Sequence, residues 1–298
     1  MSGDWSIETH DLTKRFGRYE AVRALNLKVP SHQITGFLGN NGAGKSTTIK
    51  MLLGMTHPSS GSGTVLGRRI DDARENREMR RRVAYVSEDR QLYAYLTVEE
   101  MVRFTRSFYE DWRTETEQRL LRQYQLPLDR KVRSLSKGMR TKLALLLALA
   151  RRPELLILDE PSDALDPASI EELLQALVTA AGEGTTIFFS SHQIGEVERI
   201  ADRVCIVNQG QVVGDLNLDQ LRENYRKIVA SFSREVPSDL FSDMDLEQVQ
   251  IHGRQAVAVT KHDSDNVMAR AWSAGAVSVD VEPVSLREIF LETTRRND

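Results

Sequence analysis

The chain has 298 residues, enough for one sizeable domain and a smaller one. With 40% hydrophobic and 28% charged residues it reads as an ordinary folded protein, and a net charge of -3 argues against nucleic acid as its partner. Its single cysteine, Cys205, rules out a disulfide framework or a cysteine metal site, and its apolar neighbours mark it as a buried strand residue.

In chain order, the first sixty or so residues read as short strands and turns. Ala24 to Val29 alternates like a half-buried strand, and Gln33 to Leu38 is a second apolar run ending in glycine-rich sequence. A helix follows from Ser46 to Met55, closed by Gly54 and Pro58. Thr64–Leu66 and Val83–Val86 are further strand candidates. From about Thr97 to Ala150 the pattern is helical, with a pause at Pro127. Leu155 to Leu158 is wholly apolar, as a central parallel strand would be. A helix over Ser169–Ala181, a strand over Thr185–Phe189, a helix over Ile194–Ala201 and a strand over Val204–Val207 continue an α/β alternation. Composition shifts near Gly214. Beyond it the pattern gives a helix at 218–225, a strand at 228–232 and a hairpin turning at Gly253. A helix at 266–274, a strand at 277–281 and a last helix from Ser285 complete a small α+β appendage.

The longest strongly apolar stretch, Leu143 to Ala150, is far short of the ~20 residues that a membrane span needs. Residues Met1 to Ile7 lack the basic start and apolar run of a signal peptide. A membrane role is therefore expected to run through a partner.

Three motifs carry chemistry. Gly39-Asn40-Asn41-Gly42-Ala43-Gly44-Lys45-Ser46, followed by Thr47, fits the phosphate loop. Backbone N–H groups curl around phosphate oxygens there, Lys45 supplies charge to the β- and γ-phosphates, and Ser46 offers a hydroxyl to Mg²⁺. Leu155-Leu-Ile-Leu-Asp159-Glu160 ends an apolar strand in two carboxylates. Asp159 is a candidate for the metal and Glu160 for the general base, although any strand may end in an acidic turn. Between them, Ser136 opens the helix from Lys137 to Ala150, either as a plain N-cap or as an offer of free N–H groups to a phosphate.

Leu135-Ser136-Lys137-Gly138-Met139 resembles the signature loop of ATP-binding-cassette (ABC) ATPases, usually leucine, serine, glycine, glycine, glutamine. Lys137 and Met139 depart from that pattern. Pro161 to Asp166 resembles the loop through which two such subunits touch, with Asp163 where serine or alanine is commoner. Ser190-Ser191-His192 resembles the switch loop, whose histidine meets the γ-phosphate. Phe16 stands where an aromatic stacks on adenine, with plain core as the other reading. Glu88 occupies the place of the usual metal-contacting glutamine, bringing extra negative charge near the γ-phosphate.

The resemblance covers about residues 5 to 215 and implies a P-loop NTPase α/β fold: a three-layer core with an antiparallel β edge and a helical lobe. It assigns 1–215 to a nucleotide-binding domain, with the lobe at about 91–150, and leaves 216–298 as the appendage. It implies ATP and Mg²⁺ as cofactors and ATP hydrolysis driving transport through a separate integral membrane permease, at the cytoplasmic face of the membrane. A second copy of the chain would complete an ATP sandwich, with Ser136, Gly138 and Asp166 contributing at the shared nucleotide. Pro283 to Glu292 resembles the closing helix of motors that pair with exporter permeases; as bare physics it is an amphipathic helix packing on the appendage. The segment Arg90 to Leu96, with Tyr93 and Tyr95, either packs on the lobe or awaits the permease. A soluble switch ATPase of DNA repair or translation is the rival reading. Repair types carry a long coiled-coil insertion and translation types a second cassette, and neither feature is in this sequence. A small-molecule kinase or GTPase is a further rival, disfavoured by Ser136 and His192.

Overall fold

The computed structural model describes residues 5–89, 92–261 and 263–295. The chain divides between Asp215 and Leu216 into two compact units.

The first unit opens with β1 (Trp5–Phe16), which turns at Gly17 into β2 (Tyr19–Leu25), followed by β3 (Lys28–Pro30). Ala24 to Val29 is therefore broken rather than one strand. Ala24 has a φ of +39°, and the two pieces pair with different halves of β1, Leu25 opposite Leu12 and Val29 opposite Ile7. β4 (Ile34–Leu38) is wholly buried and leads into α1 (Lys45–Leu52). The hairpin of β5 (Ser60–Val65) and β6 (Arg68–Arg69) joins β1 to complete an antiparallel sheet, in the order β2-β1-β5-β6 with β3 also on β1.

Next comes α2 (Ala73–Arg82), a helix that apolar periodicity does not announce. Its only buried residues are Asn76 and Met79, and it starts because the Asp72 carboxylate accepts from the N–H groups of Arg74 and Glu75. β7 (Val83–Val86) follows. The helical stretch resolves into α3 (Val98–Arg106), α4 (Thr114–Gln123) and α5 (Lys137–Leu149). Thr97 and Glu100 form a capping box at the first of these, and a 3-10 turn over Val132–Ser134 precedes the last.

From there strand and helix alternate: β8 (Leu155–Leu158), α6 (Pro167–Gly182), β9 (Thr186–Ser191), α7 (Ile194–Ile200), β10 (Arg203–Asn208) and β11 (Gln211–Asn217). The main sheet runs β11-β10-β4-β9-β8-β7, with β10, β4, β9, β8 and β7 parallel along it. Every residue of β8 and β9 is buried, which is why these strands are continuous apolar or small-residue runs. One hydrophobic core joins Ile7 and Leu12 of the antiparallel sheet, Ile49 of α1, and Phe37, Ile157, Phe188 and Cys205 of the parallel sheet. The rings of Phe37 and Phe188 lie 5.3 Å apart, and each such side chain contributes about 1.5–3 kcal/mol on burial.

The second unit contains α8 (Leu218–Asn224), β12 (Arg226–Phe232), β13 (Gln248–His252), β14 (Gln255–Thr260), α9 (Ser264–Ser273), β15 (Ala276–Pro283) and α10 (Leu286–Arg295). Its antiparallel sheet runs β13-β14-β12-β15, with the hairpin turn at Gly253 (φ +58°). Val267 and Ala271 of α9 pack on Ile228, Ala230 and Ala258. Glu288 of α10 pairs with Lys227 of β12 at 2.7 Å. Among the described residues no helix is long and apolar enough to cross a membrane.

Candidate active site

In an open parallel sheet, the loops beyond the carboxyl ends of adjacent strands converge. Here β4 and β8 both flank β9, in a register that sets Leu38 beside Ser191 and Leu158 beside Phe189. The phosphate loop, the acidic pair and the Ser190–His192 segment therefore emerge on one edge. Gly42 and Gly44 have φ of +83° and +98°, and a Cβ at Gly44 would lie 2.5 Å from the Ala21 carbonyl oxygen, so a side chain there is excluded. The loop delivers the chain into α1, whose first-turn N–H groups have no partner within the helix and face the cleft.

Lys45 is buried. Its ammonium donates to the carbonyls of Gly39 (2.7 Å) and Asn40 (3.1 Å), and lies 3.0 Å from Glu160 Oε1. This last contact is an ion pair without hydrogen-bond alignment. Asp159 Oδ1 accepts from Ser190 Oγ at 2.7 Å and Ser46 Oγ at 3.1 Å. Burial raises the Asp159 pKa against the opposing effect of those hydroxyls, while the neighbouring Glu160 charge adds to the rise. Glu160 is a non-glycine residue at φ +45°, an uncommon conformation of the kind that gathers at functional sites. Its N–H donates to Ser190 Oγ (2.9 Å), and Oε2 lies 2.9 Å from His192 Nδ1. One chain thus carries Lys45, Glu160 and His192 in contact.

The cleft above is lined by Phe16, Asn41, Gly42, Gly44, Lys45, Ser46, Thr47, Glu88, Glu160 and His192, and also by Tyr19, Ala21 and Asp163. Phe16, 54% exposed, is not core. It sits opposite Tyr19 across the β1–β2 turn, with Lys14 Nζ 5.1 Å from its ring. Gly39, Asn40 and Ala43 do not line the cleft, although the Gly39 and Asn40 carbonyls accept from Lys45.

Ser136, Gly138 and Asp166 do not line the cleft of their own chain. Ser136 Oγ caps α5 by accepting from Met139 N (3.1 Å), and Asp166 caps α6 by accepting from Ser169 N (3.0 Å). A Cβ on Gly138 would stand 3.0 Å from Ser169 Oγ, so these two helix starts form one patch. Lys137 Nζ reaches Asp163 Oδ2 at 2.9 Å beside it. Beneath the site lies the buried Glu196, whose Oε2 accepts from Ser162 Oγ (2.6 Å) and Ser191 Oγ (3.4 Å).

Ser190 and Tyr19 carry contacts that motif spacing does not assign to them. For Ser190 the available signal is its place at the end of the strand beside β8; for Tyr19 it is the turn that pairs it with Phe16. In the segment Arg90 to Leu96, residues Arg90 and Gln91 lie outside the described residues. Tyr93 and Tyr95 are exposed and continue into a ladder of rings: Tyr95 to Tyr93 at 5.9 Å, Tyr93 to Phe104 at 5.3 Å, Phe104 to Phe108 at 5.0 Å.

A phosphate loop, an Asp–Glu pair and a histidine on the carboxyl edge of a parallel sheet, with an antiparallel sheet and a helical lobe alongside, define a P-loop ATPase cassette. The chain belongs to the ABC transporter ATP-binding protein family: the family model described as "ABC transporter" matches residues 22–163. It is 31% identical to the uncharacterised ABC transporter ATP-binding protein YhaQ of Bacillus subtilis, over 94% of this chain and 96% of that one. It is 34% identical to the bacitracin transport ATP-binding protein BcrA of Bacillus licheniformis, over 86% and 85% respectively. A solved ATP-binding subunit of an ABC transporter superposes with a TM-score of 0.65 at 32% identity, covering 73% of this chain and 92% of that one. The protein is an ATP-binding, ATP-hydrolysing motor subunit of an ABC transporter.

Proposed function

We propose that the chain works as a pair of identical copies on the cytoplasmic face of a membrane, driving export through a separate permease. The observation that carries the catalytic part is the contact of Glu160 with both Lys45 and His192. Incoming ATP draws the Lys45 ammonium to its β- and γ-phosphates, which frees Glu160 to accept a proton from the attacking water. His192, held through Nδ1 by Glu160, presents its other ring nitrogen to the γ-phosphate.

For Mg²⁺, the donors fit. Ser46 and Asp159 bring hard oxygens within 3.1 Å of each other, and Glu88 lines the same cleft. No cluster of three His, Cys, Asp or Glu among the described residues would hold a metal alone, which suits an ion that relies on substrate phosphate and water. When bound, the ion neutralises charge on the phosphates. Phe16 offers its exposed face to adenine.

Ser136 and Gly138 lie outside their own cleft, which fits a role at the nucleotide of a second copy, with the Asp166 loop at the junction. A solved dimeric ATP-binding cassette bound to ADP and Pi shares the fold, with a TM-score of 0.64 at 23% identity. The exposed ladder from Tyr95 to Phe108 offers the permease a docking surface of the kind interfaces favour. Export rests on the resemblance of Pro283 to Glu292 to the closing helix of exporter motors; the likeness to BcrA, a bacitracin transport ATP-binding protein, supports transport. The test is a pair of variants. Lys45→Ala is expected to weaken ATP binding. Glu160→Gln is expected to retain binding, lose hydrolysis by about a hundredfold or more, and elute as an ATP-dependent dimer. Near-normal turnover in Glu160→Gln would remove Glu160 as the base.

A further inference from the structure

Two positions where this chain departs from the usual ABC pattern, Lys137 in the signature loop and Asp163 in the dimer-contact loop, meet as an ion pair at 2.9 Å. Each is awkwardly placed by itself. Lys137 is the first residue of α5, at the positive end of the helix dipole, where a cation is disfavoured. Asp163 lines the cleft in which a polyanionic nucleotide would lie, where an anion opposes the ligand.

Both side chains are more than a third exposed, so the contact adds little to fold stability. Its electrostatic effect on the cleft is another matter. Asp163 faces the same space as Lys45, Ser46 and His192, and its N–H donates to the carbonyl of Glu160 at 3.2 Å. A lysine paired with that carboxylate offsets part of its field where phosphates would sit, and Lys137 does not itself line the cleft.

We propose that Lys137 is a positioning residue for nucleotide affinity in its own chain: it holds and neutralises Asp163, so that a carboxylate on the cleft wall does not repel ATP. This rests on the cleft being the nucleotide site and deepens that reading. The two departures are then one compensated change. Lysine at 137 permits aspartate at 163.

The experiment measures binding of ATP and ADP to the monomer, without Mg²⁺ and with monomeric state checked by light scattering. This keeps any action of Lys137 on a second copy out of the readout. Lys137→Ala is expected to raise the ATP Kd about threefold to tenfold at low salt and to affect ADP less. Added salt shrinks the effect, and Lys137→Arg stays close to wild type. The decisive variant combines Lys137→Ala with Asp163→Ser. Removing both charges is expected to restore the ATP Kd to within about twofold of wild type, which a merely structural role for Lys137 would not do. An unchanged Kd in Lys137→Ala, or a loss that Asp163→Ser does not repair, overturns the proposal. Lys45→Ala is carried in parallel: if it too bound ATP like wild type, the nucleotide-site reading itself would fail.

Discussion

At the scale of single residues, the site is a set of charges that hold each other in check. Glu196 is the clearest case outside the cleft. Burial raises its pKa above the ordinary 4.5, opposed by the hydroxyls of Ser162 and Ser191. The folded state therefore binds this proton more tightly than the unfolded chain does. Its contribution to stability is full below pH 4.5 and is lost as pH rises through the raised value. Glu196→Gln keeps an oxygen to accept from both serines and never ionises. It is expected to raise the melting temperature by roughly a few degrees at pH 7.5, with the gain shrinking as pH falls towards 4.5. A lower melting temperature at pH 7.5 would show that ionised Glu196 is stabilised by its two serines more than burial costs it. Glu196 also joins the loop that carries Asp163 to the strand end that carries His192, so a hydrolysis assay on the same variant reports whether that bridge serves the chemistry.

At the scale of elements, what could be read in the sequence was what burial writes into it. The strand Leu155–Leu158 is legible because a central strand must be apolar on both faces, and the carboxylates after it mark its end. Helix α2 left no such trace, since Ala73 to Arg82 contributes only Asn76 and Met79 to the interior. Strand β1 has shifts in its pairing between Leu12 and Lys14 and again before Arg15, which scramble the alternation that would betray twelve residues of strand. The phosphate loop and the acidic pair are local motifs and could be read directly. Ser190 on Asp159, and Lys137 on Asp163, depend on neighbours far along the chain and could not.

The aromatic ladder belongs to this scale too. Tyr93 (49% exposed) packs edge-on against Phe104 of α3 and Tyr95 (67% exposed) packs on Tyr93, yet both stay at the surface. Changing both to serine is expected to leave soluble ATP hydrolysis and the melting temperature almost unchanged, and to release the protein from its permease in a pull-down. A variant that melts several degrees lower while the permease stays bound would place docking elsewhere.

At the scale of the whole molecule, the separation of Ser136 from its own cleft makes a prediction about mixtures. Ser136→Arg and Lys45→Ala subunits are each expected to hydrolyse poorly. Combined, they form heterodimers with one intact site and one doubly damaged site, and should recover part of the lost activity. No recovery at any ratio, with heterodimers shown to form, would count against a shared nucleotide. In the proposed roles, ATP and Glu160 compete for the Lys45 ammonium, which lies 3.0 Å from Glu160 Oε1. Such competition would lower ATP affinity, because part of the binding energy would go into parting the pair. A Glu160→Gln variant, which has no such pair to part, is then expected to hold ATP more tightly than wild type in an equilibrium binding assay.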